Sequence, residues 1–462
     1  MSNVPADMCE GPLFGKIVRY TIPIILTGIL QLLFNAADLI VVGRFCGSVS
    51  VAAVGATGSI INLIINLFIG LSVGAGVTVA HGLGAGRDEE VHRTVHTAIP
   101  TAFLSGIILT VVGILGAEYF LTLMGTPDDV IDLSTLYMKI YFCGILSSML
   151  YNFGAAILRA AGDTKSPLYY LTIAGVLNVV LNVFFVLVFH MDVAGVALAT
   201  AISQTLSAFL VLLALTRRED ACRLYLSKLC IHKKQLLQII RIGLPAGIQS
   251  SLFSISNVII QSSVNSFGSV VMSGNAAAGN IEGFVYITMN SFQQTALNFT
   301  GQNFGAKQYK RIHRIMGICL ICVGFVGLLT GALAYGFARP LLSIYITDSA
   351  EAIGYGILRM TYVCLPYFLC GIMDVMTGVI RGMGSSVATM VISILGVCGF
   401  RISWIYTVFQ IPEFHTLTSL YVSYPISWLA TFVVQVAGYF VLCHRRKVRD
   451  SLEAARTAVP ME

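Results

Sequence analysis

The sequence predicts an all-α polytopic membrane protein, with twelve transmembrane helices in two six-helix bundles related by a pseudo-two-fold axis along the membrane normal. Three observations lead there. Of the 462 residues 56% are hydrophobic and only 11% charged, at a mean hydropathy of +0.83. Soluble proteins carry about 25% charged residues, so hydrocarbon must take the place of water around this chain. The loops between apolar runs alternate in charge, and the second half of the chain repeats the first. The net charge of +6 is spread over those loops, which excludes a nucleic-acid binder as a reading.

At about 20 apolar residues per crossing, the candidate spans are 17–42, 51–81, 94–117, 135–158, 168–189, 193–216, 238–264, 270–301, 313–338, 357–380, 387–409 and 418–443. The first run far exceeds a signal-peptide core of about 7 to 15 residues and is expected to remain as a span. Lys16, Arg19, Arg87, Arg93, Arg159, Lys165, the segment Arg217 to Arg241, Lys307, Lys310, Arg311, Arg314, Arg381 and Arg445 to Arg449 then fall on one side. Asp128, Asp129, Asp132, Asp192, Asp348, Glu351 and Glu413 fall on the other. By the positive-inside rule the basic side is cytoplasmic, so both termini are expected inside a cell (inner) membrane.

Pro23 matches Pro245, and Arg159 with Gly162 matches Arg381 with Gly384, each pair 222 residues apart. HGLGAGRDEEVHR from His81 resembles QNFGAKQYKRIHR from Gln302 at an offset of 221. Six spans per repeat is an even number, so both copies enter from the same side. The expected organisation is an N-terminal lobe at 1–216, a cytoplasmic connector at 217–237, a C-terminal lobe at 238–445 and a cytoplasmic tail at 446–462.

Three of the 22 acidic residues lie within the candidate spans: Asp38, Glu282 and Asp374. A carboxylate at the bilayer centre costs on the order of 3 kcal/mol or more, so each should face a cavity, find a partner or bind a proton. On the first helix Thr27, Gln31, Asn35 and Asp38 form one polar stripe; the alternative is that Asp38 snorkels to the outer interface. The second helix carries Asn62 and Asn66, followed by Gly70-Leu-Ser-Val-Gly74. That segment fits the nucleophile-elbow pattern but sits inside a span, where small-xxx-small helix packing is the better reading. The fifth helix carries Asn178 and Asn182 on one face, either as part of a coupling site or as interhelical glue.

The seventh helix has the stripe Ser254, Asn257, Gln261 and Asn265, and the eighth has Glu282, Tyr286, Asn290 and Gln293. On the tenth, Asp374 shares a face with Cys370, Thr377 and Arg381, and its counterpart across the repeat is Asn152. Arg401, in the eleventh, needs an anion, and a structural ion pair with Asp374 or Glu282 would supply one. Glu282 and Asp374 could instead offer oxygen ligands to a hard cation such as sodium. Cys319 and Cys322 form a CxxC without nearby His or Asp and read as packing residues. No P-loop, resident metal set or other cofactor site is found, so an ion gradient or another subunit must supply energy.

The segments PIILTGILQLLFNAADLIVVGR, GLGAGR, GQNFGAK, LRAAGDTKSP and LNVVLN resemble the multidrug and toxin extrusion (MATE) family, over roughly residues 12 to 445. The resemblance implies a monomeric twelve-helix efflux pump of two lobes, driven by inward movement of protons or sodium ions. It implies that Asp38 takes part in cation coupling. Some relatives end the LNxxLD motif in Asp where this chain has Asn182, which puts their proton relay in doubt here; sodium-coupled members use acidic residues of the C-terminal lobe. The expected activity is therefore not enzymatic. It is antiport export of small organic cations or amphipathic drugs, by a protein surrounded by membrane lipids, through a cavity lined by Gln31, Asn35, Asn62, Asn66, Asn152, Asn257, Gln261 and Tyr286. The rival is a flippase of the same superfamily for a lipid-linked precursor, which would want a more cationic cavity.

Overall fold

The computed structural model describes residues 8–347 and 349–457; Asp348 and residues 458–462 of the expected tail lie outside them. Among the described residues all regular structure is helical. The N-terminal half contains α1 (Leu13–Phe45), α2 (Ser48–Gly84), α3 (Asp88–Leu123), α4 (Asp128–Cys143), α5 (Ile145–Ala160), α6 (Lys165–Leu187) and α7 (Asp192–Thr216). The C-terminal half contains α8 (Lys233–Asn265), α9 (Ser269–Gly305), α10 (Tyr309–Gly336), the short α11 (Ala338–Ser343), α12 (Ala350–Arg359), α13 (Phe368–Gly382), α14 (Ser386–Ser393), α15 (Phe400–Tyr406) and α16 (Leu417–Thr457).

These helices make the twelve crossings in three ways. Ten crossings among the described residues are long and apolar enough to span a bilayer. An eleventh, α4 with α5, bends by 46°. The twelfth is α9, which is less apolar than the other spans because Asn275, Glu282, Asn290, Gln293, Gln294 and Asn298 interrupt it. Those residues are tolerated because α9 packs among α1, α2, α10, α12 and α13, so its polar groups meet protein and cavity rather than acyl chains.

The repeat is visible in the backbone. α1 and α8 both run 33 residues, and α2 and α9 both run 37. The turn before each of the longer pair needs a left-handed residue and has glycine there, Gly47 at φ 95° and Gly268 at φ 98°. The fourth crossing of each half is broken at the same repeat position: α4 yields to α5 at Gly144, and α12 yields to α13 around Pro366 through a widened turn at 360–364 and a tight turn at 365–367. The sequence reading had both as continuous spans; a lone glycine and a lone proline do not by themselves announce a break in an apolar run.

The basic loops gather at one end of the bundle, which ties the halves together there. Gln302 Nε2 donates to the Ala160 carbonyl (2.7 Å), and His81 Nε2 lies 2.6 Å from that of Gly382. Arg311 donates to the carbonyls of Glu10 and Gly11 (2.7 and 2.9 Å), and within the N-terminal half the Tyr20 hydroxyl donates to that of Arg159 (2.7 Å).

Further in, α2 crosses α8 with main chain against main chain. A Cβ on Gly70 would sit 2.2 Å from the Gly247 nitrogen, one on Gly74 2.2 Å from the Ile239 carbonyl, and one on Gly247 2.2 Å from the Leu67 carbonyl. The Gly70-x-x-x-Gly74 segment is thus a helix-packing surface, matched by Gly243-x-x-x-Gly247. Contact continues to Ser251 on Leu63 and Asn66 on Ser254 (3.2 and 3.5 Å). Beyond that level the halves diverge: Asn62 and Asn257 are exposed, and Gly55 and Gly58 have open space beside them.

α1 serves both halves. Near the basic end Tyr20 packs edge-on against Phe299 and Thr21 hydrogen-bonds Thr295 (2.9 Å). Toward the other end Phe34 lies on Gly175 of α6. That switch of partner carries the Asp38 face of α1 into the N-terminal half.

Candidate functional site

Two cavities hold the three intramembrane carboxylates, Asp38 in one and Glu282 with Asp374 in the other. The first, about 190 Å³, lies among α1, α6 and α7 and is lined by Gln31, Phe34, Asn35, Asp38, Asn178, Thr200, Ser203, Gln204 and Ser207. Asp38 therefore points into the protein and does not snorkel to the interface. Asn182, fully buried behind it, donates through Nδ2 to Asp38 Oδ1 and also to Asn178 Oδ1 (3.3 Å). Thr200 Oγ1 donates to Asp38 Oδ2 (3.5 Å) and itself accepts from Asn178 Nδ2 (3.3 Å). Asn182 thus acts directly on the carboxylate, and Asn178 acts one step removed. Asn182 Oδ1 is buried with no donor among the described residues.

The sequence reading missed the α7 contribution. Thr200, Ser203, Gln204 and Ser207 recur at i, i+3, i+4 and i+7, a helical face that the same stripe argument would have found.

The second cavity, about 540 Å³, is lined by Asn66, Asn257, Gln261, Glu282, Tyr286, Asp374 and Arg401 of the expected residues, together with Phe253, Arg359, Tyr367, Cys370, Tyr424 and Trp428. Its polar wall is cross-braced. Asn275 Nδ2 donates to Gln261 Oε1 (2.8 Å), and Tyr421 donates to Asn275 Oδ1 (3.1 Å).

The expected ion pair is corrected here. Glu282 is held by Arg359, whose Nη2 and Nε lie 2.8 and 3.1 Å from Oε2, and Arg359 Nη1 also donates to Asn275 (2.6 Å). Arg401 has no carboxylate within salt-bridge distance among the described residues. Its Nε donates to Ser427 (2.9 Å), and its guanidinium lies 4.0 Å over the Tyr424 ring and 5.4 Å from that of Trp428. Ring faces stand in for the anion, a cation–π arrangement strengthened by desolvation. Arg359 went unnoticed because it sits at the very start of its apolar run, where an arginine reads as loop.

The arrangement also bears on a sodium site at Glu282 and Asp374, since the Arg359 guanidinium already occupies Glu282 Oε2. No group of three or more His, Cys, Asp or Glu among the described residues is arranged to hold a metal ion. Two expected cavity residues lie elsewhere: Asn152 on α5 turns its amide onto Ser148 of its own helix (2.8 Å), and Asn62 is exposed outside both linings. Thr27 spends its hydroxyl on the Pro23 carbonyl (2.7 Å). Cys319 is buried in the C-terminal core, as a packing residue should be.

Comparison with known proteins gives one consistent picture. The chain is 27% identical over 440 residues to the Bacillus subtilis protein named "Probable multidrug resistance protein YoeA", covering 93% of each. It superposes on a crystal structure of a mutant MATE protein with a TM-score of 0.89 at 20% identity, over 97% of this chain and 100% of that one. It also superposes on an outward-facing multidrug resistance MATE transporter of the MOP superfamily with a TM-score of 0.86 at 21% identity, over 96% and 98%. The MatE family description matches twice, at residues 23–184 and 245–407, the same spacing as the internal repeat. With a membrane-spanning fold, a doubled family signature and relatives aligned end to end, the chain belongs to the MatE family of multi-pass membrane transporters.

Proposed function

We propose that the protein exports organic cations and amphipathic drugs in exchange for protons, by alternating access between lobes at 1–216 and 238–445 joined by the connector at 217–237. The observation that carries this reading is Asp38: a carboxylate in a polar cavity inside the membrane, with a neutral donor on each oxygen and no cationic side chain paired to it among the described residues. The Bacillus subtilis relative named for multidrug resistance supports the substrate class.

In the ionised state Asp38 accepts from Asn182 and Thr200 and attracts cationic cargo. Protonation adds a donor where there was an acceptor. The buried and unpaired Asn182 Oδ1 can take that new O–H once the amide turns over. The neutral acid no longer attracts a cation and costs less to enclose, so cargo leaves and the halves move. By the positive-inside rule the sealed basic end is cytoplasmic. The divergent end then faces outside, which is the side from which protons enter and cargo departs. The protein acts as a monomer in the cell membrane with both termini inside and needs no cofactor.

Sodium is the weaker coupling ion, because the candidate site at Glu282 and Asp374 would require displacing Arg359. The flippase reading has one observation in its favour, two guanidiniums in the larger cavity, but one of these is neutralised by Glu282.

The test is efflux of a fluorescent organic cation in vesicles energised by a proton gradient alone or a sodium gradient alone. The proton gradient should suffice. Asp38→Asn should lower the rate at least tenfold while the protein still inserts in normal amount. Unchanged efflux would remove Asp38 from the mechanism, and efflux driven by sodium alone would move coupling to the other cavity.

A further inference from the structure

The sealed basic end has a symmetry that the exchange cycle leaves unused. His81 and Gln302 are counterparts in the repeat, 221 residues apart, and Ala160 and Gly382 are counterparts at 222. The four are joined crosswise: His81 Nε2 donates to the Gly382 carbonyl (2.6 Å), and Gln302 Nε2 donates to that of Ala160 (2.7 Å). A carbonyl only accepts, so His81 carries its hydrogen on Nε2. Both donors sit in the last turn of the long helices α2 and α9, and both acceptors are the final residues of α5 and α13. Carbonyls in a final turn have no partner within their own helix. Each half therefore caps the broken fourth crossing of the other.

Main chain fills the space beside the two bonds. A Cβ on Gly84 would overlap the Gln302 carbonyl, and one on its counterpart Gly305 would overlap that of His81. The contacts lie between helix ends, next to the basic loops, where His81 is only partly buried and water can replace a lost donor. Parting them thus costs about one ordinary hydrogen bond each, a barrier that turnover can cross.

We propose that His81 and Gln302 are the gating pair of this end: two equivalent clasps that hold the halves closed toward the basic side and must both release before cargo can enter from there. The proposal rests on the exporter reading only for alternating access, and it takes neither the ion nor the cargo as given. Because the repeat relates the clasps, each donor should be replaceable by the residue at its counterpart position, whereas a side chain without a donor should shift the balance between the two facings.

The test reads that balance as a distance. Asp88 and Lys310 are exposed in the first turns of α3 and α10, one in each half. Spin labels on Asp88→Cys and Lys310→Cys are measured in the full purified chain in nanodiscs, with the exposed and partly buried native cysteines replaced by serine. His81→Phe and Gln302→Met each remove a donor, and each should raise the ratio of long to short distances about fivefold, the weight of one such bond. The double variant should multiply the two effects. His81→Gln and Gln302→His restore a donor in the form the other half uses and should leave the ratio within about twofold of the starting chain. Gly305→Ala, which wedges a methyl onto the His81 carbonyl and keeps both donors, should shift the ratio the same way and serves if a donorless variant does not fold.

A ratio unmoved by the donorless variants, even with a lowered melting temperature, would reduce these contacts to packing and overturn the proposal. So would equal shifts from the donor-restoring variants. The expected shifts without efflux of a fluorescent organic cation by the unmodified protein in vesicles would instead count against the exporter reading alone.

Discussion

A guanidinium enclosed by protein within a membrane needs compensation, and the two in the larger cavity find it differently. Removing one member of the Arg359–Glu282 pair strands the other. Arg359→Gln should therefore destabilise by about 3–5 kcal/mol, read as a fall in melting temperature in detergent, whereas Arg359→Gln with Glu282→Gln should recover most of the loss. A double variant as unstable as the single one would show that Arg359 acts through its aromatic neighbours instead.

At this scale the sequence showed which groups were costly more readily than which groups met. Asp38, Asn178 and Asn182 were legible because polar residues at helical spacing stand out against Ile, Leu and Val. The partner of Glu282 was not, since a contact spanning 77 residues leaves no mark in local spacing. Asn152 was carried into the cavity by repeat symmetry alone, and its amide satisfies its own helix instead.

Among the elements, α2 and α8 set the level at which the halves meet. Their crossing depends on having no side chains there. Gly247→Ala would push a methyl onto the Leu67 carbonyl at 2.2 Å, backbone that cannot swing aside. The variant should lose about 1–3 kcal/mol and show a longer α2–α8 distance between spin labels at exposed flanking sites. An unchanged distance would mean that the crossing tolerates a methyl by local relaxation.

The spans themselves were legible from apolar length, with helices overrunning the expected limits, as α3 does to Asp88–Leu123. The breaks at Gly144 and Pro366 were not. They fall inside runs of uniform hydropathy, and only their recurrence at equivalent repeat positions marks them as designed. α9 is the opposite case: its polar interruptions lower its hydropathy below that of the other spans, yet its place as the repeat partner of α2 agrees with the expected crossing at 270–301.

For the whole molecule, orientation is open to a direct test at the connector. Cys230 is exposed, whereas Cys222 is buried, and burial pushes its thiol up to about 12, leaving almost no thiolate at neutral pH. In a variant keeping these two cysteines, a membrane-impermeant maleimide should label Cys230 in inverted vesicles and not in intact cells, and Cys222 in neither. Labelling from outside would invert the topology.

The connector is also tethered to α3 by Lys234 on Glu90 (2.9 Å). Hydrogen bonding from Lys234 and Arg87 holds the Glu90 carboxyl below the usual carboxylate range. Its contribution is present above the unfolded value and is lost as pH falls through the lowered one. A spin label on Cys230 should stay restrained from pH 7 to about pH 5 and gain mobility only below about pH 4; loosening near pH 6 would assign the tether to a histidine.

The bare glycine crossing has an electrical consequence. Where one main chain rests on another, no crevice remains for a file of water molecules, and a proton cannot hop through without one. On the proposed proton exchange, each proton then travels with a movement of the protein, which would leave the membrane insulated between turnovers.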